Sequence, residues 1–156
     1  MNTVSQVLSN VFKVKDKLLV KRLLGSAGFY VDEYDEGLCF YDNDENSAYL
    51  CDMQLVKYDG YPIVVQTDYN EDEDFYFAIE EYAKVKEDDI NEDLIETVDF
   101  FEWLQSQLLD GESIQVTEIA HEGLRWQNGS GVVITQNGYQ WFDLNRMLQK
   151  FADEHV

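Results

Sequence analysis

The dipeptide Asp59-Gly60 stands between two apolar segments and restricts the fold more than any other feature of the sequence. A type I′ turn needs positive φ at both central positions, and Asp-Gly is one of the few dipeptides that adopt it at little cost. The flanking segments, AYLCDMQLVKY (48–58) and YPIVVQT (61–67), are therefore predicted to pair as a β-hairpin.

A second hairpin is predicted just before the first. FYVDEY (29–34) and LCFYD (38–42) flank the turn Asp35-Glu36-Gly37, in which glycine supplies the positive φ. A further turn at 43–47 would join the two hairpins into an antiparallel meander.

Apolar residues at helical spacing predict three helices. The first covers 4–24, as one helix or two short ones that end at Gly25 and Gly28. The second is a central helix over about 91–109 with an N-cap in 88–91, and the third is a C-terminal helix over about 140–153. Their apolar stripes are Leu94, Val98, Phe101, Leu104 and Leu108 for the central helix, and Trp141, Leu144, Leu148 and Phe151 for the C-terminal one.

Alternating apolar residues predict further strands, and Phe75, Phe77 and Ile79 show this pattern directly after an acidic turn, DYNEDED (68–74). The remaining predicted strand segments are 113–120, 124–127 and 132–136, the last two flanking a turn at 128–131. The predicted fold is α+β. It is a single domain over 1–156, in which an antiparallel β-meander of about four to six strands is packed by the N-terminal, central and C-terminal helices.

The net charge of −21 is concentrated in one part of the chain. Residues 1–28 carry +4, residues 32–99 carry −20 and the residues after 99 carry −5. The cations between Lys13 and Arg22 flank an apolar stripe, which is typical of a solvated helix face, and pairing with the protein's own acids is the alternative. The acidic middle would repel phosphates, so direct binding of nucleic acid is not expected.

Residues of the kinds used in catalysis and metal binding are few. Cys39 and Cys51 would lie opposite each other on neighbouring strands, where a disulfide could form, although a reducing cytosol favours two buried thiols. His121 and His155 have no second histidine at metal-ligand spacing, and His121 is expected at the surface or in a turn. The phosphate-binding motifs GxGxxG and GxxxxGK[ST] and the nucleophile motif GxSxG do not occur.

Two acidic stretches resemble calcium loops at first sight. Those beginning at Asp42 and at Asp68 lack the glycine and the final glutamate that an EF-hand needs. We therefore predict no catalytic residue, no cofactor and no metal, and an enzyme is the least favoured class. The N-terminal residues lack the features of a secretory signal, and no long apolar run is present, so we expect a cytoplasmic protein that does not enter a membrane.

The size of the charge suggests what the protein binds. A compact domain of 156 residues spans roughly 40 Å, and duplex DNA of that length carries roughly 23 negative charges, close to the −21 of this chain.

The leading hypothesis is an acidic inhibitor that mimics nucleic-acid charge and blocks a basic nucleic-acid-binding protein, such as a nuclease or a CRISPR or restriction effector. Small phage and mobile-element proteins that disarm host defence are similar in size and charge. The alternatives are an immunity protein that neutralises a basic toxin, and a non-catalytic interaction or assembly domain that could form a homodimer.

The candidate partner-binding residues are acids of the anionic turns, and the hypothesis requires that they share one face. They are Asp32, Glu33, Asp35, Glu36, Asp42, Asp44, Glu45, Asp68, Glu71, Asp72, Glu73, Asp74, Glu87, Asp88, Asp89, Glu92 and Asp93.

Overall fold

The structure is a computed structural model that describes residues 4–42, 50, 53–66, 71–122 and 126–156. Over these residues the chain forms nine strands and four α-helices, and the α+β prediction is confirmed. The strands are β1 (Val4–Ser9), β2 (Tyr30–Tyr34), β3 (Gly37–Asp42), β4 (Met53–Tyr58), β5 (Tyr61–Gln66), β6 (Ile95–Val98), β7 (Ile114–Glu122), β8 (Trp126–Thr135) and β9 (Gly138–Asp143). The helices are α1 (Lys17–Ser26), α2 (Glu71–Ala83), α3 (Phe100–Gln107) and α4 (Leu144–His155). None of these helices is long and apolar enough to cross a membrane.

The described strands form two antiparallel sheets. The larger sheet has the order β2-β3-β1-β7-β8-β9 and the smaller one β5-β4-β6. Both predicted hairpins are confirmed, since β2 pairs with β3 and β4 pairs with β5. The turn between β4 and β5 has φ of 49° at Asp59 and 82° at Gly60, as the Asp-Gly signal requires.

The predicted pairing of strand 38–42 with strand 48–58 is wrong. Strand β3 lies between β2 and β1, and β4 belongs to the other sheet. The buried Cys39 lies opposite Asp32 of β2, whereas Cys51 and the predicted turn at 43–47 lie outside the described residues.

The first predicted helix is wrong over its first half. Residues 4–9 form β1, in which Val7 is buried and Leu8 is exposed, a period of two that the pairing with β3 and β7 explains. Helix α1 begins only after Asp16, whose carboxylate accepts a hydrogen bond from Leu19 N at 3.1 Å. The chain leaves the helix at Gly28, which has φ of +100°.

The strand predicted over 75–80 is also wrong, because this segment belongs to α2. Phe75, Ala78 and Ile79 are buried at helical spacing, while Phe77 is 69% exposed. Acids Glu71 to Asp74 therefore form the first turn of a helix instead of a turn at a sheet edge, and the helix dipole favours anions there.

The central helix is much shorter than predicted. Residues 95–98 form β6, which pairs with β4, and α3 begins after Asp99, whose carboxylate accepts hydrogen bonds from Phe101 N and Glu102 N. Leu94 and Val98 have the spacing of a helical stripe, but Leu94 lies in a 3₁₀ turn and Val98 in β6, where backbone hydrogen bonds to β4 favour a strand.

The C-terminal helix is present, but its predicted start is too early and the turn predicted at 128–131 is wrong. Trp141 lies in β9 and packs edge-on against the ring of Phe101. Residues 128–131 lie inside β8, paired with β7. A Cβ atom on Gly129 would lie 2.7 Å from Leu144 Cδ2, so this glycine lets α4 approach the sheet closely.

The elements stack in layers around two clusters of buried side chains. The larger cluster lies between the inner face of the six-stranded sheet, helices α1 and α3, and one face of the small sheet, which contributes Leu55 and Val64. The smaller cluster lies between α2 and the other face of the small sheet, which contributes Val56 and Ile63. Helix α2 and the outer face of the six-stranded sheet therefore lie on opposite sides of the molecule.

Candidate acidic protein-binding surface

Residues 71–99 form the most acidic part of the molecule, which we call the acidic lobe. It comprises α2, two 3₁₀ turns (Glu87–Asp89 and Glu92–Leu94) and β6. Its sequence has thirteen acids against Lys84 and Lys86, a net charge of −11. About half of the protein's net charge is thus carried by fewer than a fifth of its residues.

Side-chain packing and hydrogen bonds hold the parts of the acidic lobe together. Phe75 and Ile79 of α2 pack on the small sheet, and Ile90 from between the 3₁₀ turns joins the same cluster. The Tyr58 hydroxyl accepts a hydrogen bond from Asn91 N at 3.1 Å, and the Tyr76 hydroxyl donates one to the Glu92 carboxylate. The acidic segments are therefore fixed relative to one another on a rigid support.

Most acids of the lobe point into solvent. Glu80, Glu81 and Glu96 are exposed, as are all three residues of the first 3₁₀ turn. Within the part of the chain that is described, none of these six side chains makes an ion pair or a hydrogen bond. Their charges are available to an approaching cationic surface.

The carboxylate of Asp99 supports the fold. Besides capping α3, it accepts a hydrogen bond from the Tyr139 hydroxyl at 2.9 Å. This hydrogen bond raises the pKa of Tyr139, since the phenol is held protonated.

The acids of β2 and the following turn form a second group, and part of its charge is neutralised. Glu33 accepts from Lys17 Nζ at 3.2 Å and from Lys21 Nζ at 3.4 Å. Hydrogen bonds from these two lysines hold the pKa of Glu33 below its usual value. Pairing of the basic segment with the protein's own acids is thus observed for these two cations.

Helix α1 lies between this second group and the small sheet. Besides its contacts with Glu33, α1 places the Arg22 guanidinium 4.7 Å from the ring centroid of Tyr61 on β5, with a hydrogen bond of 2.8 Å to the hydroxyl. The cations of α1 therefore contact both Glu33 of the second group and Tyr61 of the small sheet.

The predicted partner-binding residues fall into four sets. Glu71, Asp72, Glu73, Asp74, Glu87, Asp88, Asp89, Glu92 and Asp93 belong to the acidic lobe, and Asp32, Glu33, Asp35 and Glu36 belong to the second group. Asp42 is buried, with 3% of its surface exposed, so it adds nothing to an acidic surface. Asp44, Glu45 and Asp68 lie outside the described residues, as do the side chains of Glu71 and Asp72.

Sequence reasoning missed Glu80, Glu81 and Glu96 as members of this surface. The sequence predicts Glu80 and Glu81 at the end of a half-buried strand or beyond it, and Glu96 in a helix. The spacing of Phe75, Ala78 and Ile79 could have identified α2 and brought the first two into the same lobe.

The described acids do not form a metal site. No group of three or more His, Cys, Asp or Glu side chains among them could hold a metal ion. Residues 71–79 of the calcium-loop-like stretch from Asp68 lie within α2, so that stretch does not adopt a calcium-binding loop there.

Comparison with protein-family models, with curated proteins and with solved structures found no match to this chain. Its function is therefore argued from its own residues.

The ion pairs of Glu33 predict a pH-dependent contribution to stability. Because the pKa of Glu33 is lowered by folding, its contribution is present above the unfolded-state pKa and is lost as the pH falls through the folded-state pKa. Glu33→Gln should therefore lower the midpoint of urea unfolding at pH 7 and have no effect once the carboxyl is protonated. The matched control is Glu36→Gln on the neighbouring turn, where no ion pair within the described chain is lost. An equal pH dependence for the two variants would contradict this assignment.

Proposed function

We propose that this protein is an acidic inhibitor that binds the nucleic-acid site of a basic protein through its acidic lobe. The observation that carries the proposal is the concentration of exposed acids on a rigidly packed unit. Rigidity matters because a mimic that is already ordered loses little conformational entropy when it binds.

The charge density of the lobe supports this proposal. Helix α2, the longest element of the lobe, has 13 residues and is about 20 Å long. Duplex DNA of that length carries about 12 phosphate charges, and the lobe carries a net −11. A basic cleft that holds a phosphate backbone would therefore meet a comparable charge over a comparable length, and long-range attraction would steer the two proteins together.

The partner we propose is a nuclease or a CRISPR-type or restriction-type effector, and the compartment is the cytoplasm, where such effectors meet invading nucleic acid. The acids of the second group have a smaller part in this proposal than in the sequence-based hypothesis, because Lys17 and Lys21 pair with Glu33. Direct contact with nucleic acid forms no part of the proposed function.

A competition experiment tests the proposed function. Basic nucleases, restriction enzymes and CRISPR-type effectors are each loaded with a fluorescein-labelled nucleic acid, and release of the label is followed by anisotropy while this protein is added. We expect displacement from at least one of them at about 50 mM salt, weakening as salt is raised to about 300 mM. Displacement from none of them at low salt would overturn the proposal, as would tight binding to a basic toxin that leaves its nucleic-acid site open.

Neutralising part of the lobe tests where the partner binds. The triple variant Glu87→Gln, Asp88→Asn and Asp89→Asn should displace nucleic acid about tenfold less well, since three exposed ion pairs at about 0.5 kcal/mol each are lost. The matched control neutralises Asp35, Glu36 and Glu154, which are exposed and lie outside the lobe. The control should displace nucleic acid almost as well as the natural protein. Equal losses would show that total charge, and not the lobe, determines binding.

A further inference from the structure

The outer face of the six-stranded sheet carries almost no charge and combines apolar side chains with uncharged polar ones, among them Gln6, Gln115 and Thr117. In the register of the sheet, Leu8 of β1 lies between Tyr41 of β3 and Thr117 of β7, all on this face, and Phe142 of β9 lies opposite Gly131 of β8. Leu8 is 58% exposed. From β3 to β9, no described side chain on this face is charged, although the protein has 32 acids.

Helix α4 presents a second apolar surface beside this face. Its stripe consists of Leu144, Met147, Leu148 and Phe151, at the spacing of one helix face. A helix of a globular protein normally buries such a stripe, yet Leu148 and Phe151 are 61% and 63% exposed and no residue of α4 is buried. Within the described chain, the part of the stripe beyond Met147 has no partner of the kind that its spacing implies.

A groove connects the helix and the sheet. It has a volume of about 310 Å³ and is lined by Ile119, Gly131, Phe142, Leu144 and Met147 among others, almost entirely through apolar atoms. Gly129 allows Leu144 to reach the sheet. The sheet face, the groove and the helix stripe form one continuous surface, which we call the apolar face.

We propose that the apolar face is covered by a second copy of this chain, in a twofold dimer. In such a dimer the same patch is used twice, so Leu148 and Phe151 of each copy would enter the groove of the other. The exposed end of the stripe and the open groove lie next to each other on one surface, which a self-complementary interface needs.

The charge distribution favours a second copy over the basic partner of the proposed function. A cationic cleft would find no carboxylates on the described part of the apolar face between β3 and β9. Two copies that meet there keep their acidic lobes on the far sides, because α2 lies across the small sheet from the six-stranded sheet. The repulsion between two chains of charge −21 is therefore least in this orientation.

The sheet supplies about half of the area that a stable dimer needs. The five strands from β3 to β9 span about 24 Å, and strands of five or six residues are about 18 Å long, so this part of the sheet face measures about 430 Å² in projection. The relief of the side chains and the exposed stripe of α4 add to this value. A standard interface buries about 800 Å² on each partner.

Sedimentation equilibrium over a range of protein concentrations tests this inference. We expect a species of twice the 18.2 kDa chain mass, whose dissociation constant is unchanged or lower at high salt, because screening reduces repulsion between the copies. Binding through the acidic lobe should weaken with salt, so a failure of this inference and a failure of the proposed function are distinguishable.

A double variant, Leu148→Gln and Phe151→Gln, should weaken the dimer at least 100-fold, since each substitution acts twice in a twofold interface. Both side chains are exposed in the single chain, so folding should be preserved, and circular dichroism checks this. The matched control, Leu18→Gln and Phe77→Gln, removes two exposed apolar side chains elsewhere and should leave the dimer intact.

Three results would overturn the inference. They are a chain that stays monomeric at the highest concentration, a dimer that the double variant does not weaken, and a monomer that co-sediments with phosphatidylcholine–phosphatidylglycerol vesicles. The last result would assign the apolar face to a lipid surface.

Discussion

Replacing Gly37 with alanine is expected to destabilise the protein by about 4 kcal/mol or more, which is among the largest effects of a single substitution. Gly37 begins β3 after a two-residue turn and has φ of +140°, a conformation that side chains rarely adopt. A Cβ atom there would lie 2.2 Å from Phe12 O and 2.6 Å from Phe12 C. These are backbone atoms, and they are held in place because Phe12 and Leu38 exchange two backbone hydrogen bonds of 2.9 and 2.8 Å.

Gly138 provides a matched control for this substitution. It also begins a strand, β9, after a two-residue turn, and its φ is +143°. A Cβ atom there would meet nothing within 4 Å. Gly138→Ala should therefore cost only the backbone strain, about 1 to 2 kcal/mol. Urea unfolding of both variants separates the strain from the clash, and equal losses would show that the contact with Phe12 is unimportant.

The turns with positive φ are the part of the fold that the sequence predicts best. Turns whose geometry only certain residues allow were predicted correctly, as for Asp59-Gly60 and the hairpin closed by Gly37. Their signal is local, because positive φ is a property of one residue and its own side chain. The close approach of Gly37 to Phe12, 25 positions earlier, is not indicated by any local feature of the sequence.

Short apolar segments were the least predictable elements. The alternating residues Phe75, Phe77 and Ile79 fit a strand. In the same segment, however, Phe75, Ala78 and Ile79 have the spacing of a helix. The choice depends on where the segment packs: α2 covers the small sheet with the helical set and leaves Phe77 in solvent. Residues 95–98 show the opposite case. They have the spacing of a helix but form a strand, because an edge of β4 is available for pairing.

The candidate site was predictable in composition but not in arrangement. An excess of acids in 32–99 can be counted from the sequence, and nine of the candidate residues do lie in the acidic lobe. The burial of Asp42 and the pairing of Glu33 with α1 depend on contacts between distant parts of the chain. Such contacts decide which charges remain available to a partner.

The two proposed surfaces lie on opposite sides of the molecule, and this has a consequence for binding. A dimer formed through the apolar face would present two acidic lobes outward, so one assembly could occupy two basic clefts at once. If both clefts belong to one target, the second contact forms at high effective concentration and strengthens binding. The double variant at Leu148 and Phe151 should then weaken inhibition of a two-site target more than inhibition of a one-site target.

Truncating Phe40 is expected to cause the other large loss of stability, about 3 to 5 kcal/mol for Phe40→Ala. Phe40 is fully buried on β3, with ring centroids 5.1 Å from Phe29 and 6.1 Å from Phe12, both in edge-to-face contact. It therefore joins the sheet to the loop before β2 and to the segment before α1, and its removal leaves a cavity between three parts of the chain.

Phe77 is the control that makes the Phe40 measurement interpretable. The same truncation at this exposed position of α2 removes as many atoms from the side chain but leaves no cavity, and alanine is the better helix former. Phe77→Ala should change the free energy of unfolding by less than about 0.5 kcal/mol in either direction. Urea unfolding with the slope fitted for each variant measures both changes. A loss below about 1 kcal/mol at Phe40, or similar losses at the two positions, would mean that the aromatic cluster of Phe12, Phe29 and Phe40 is not packed as described.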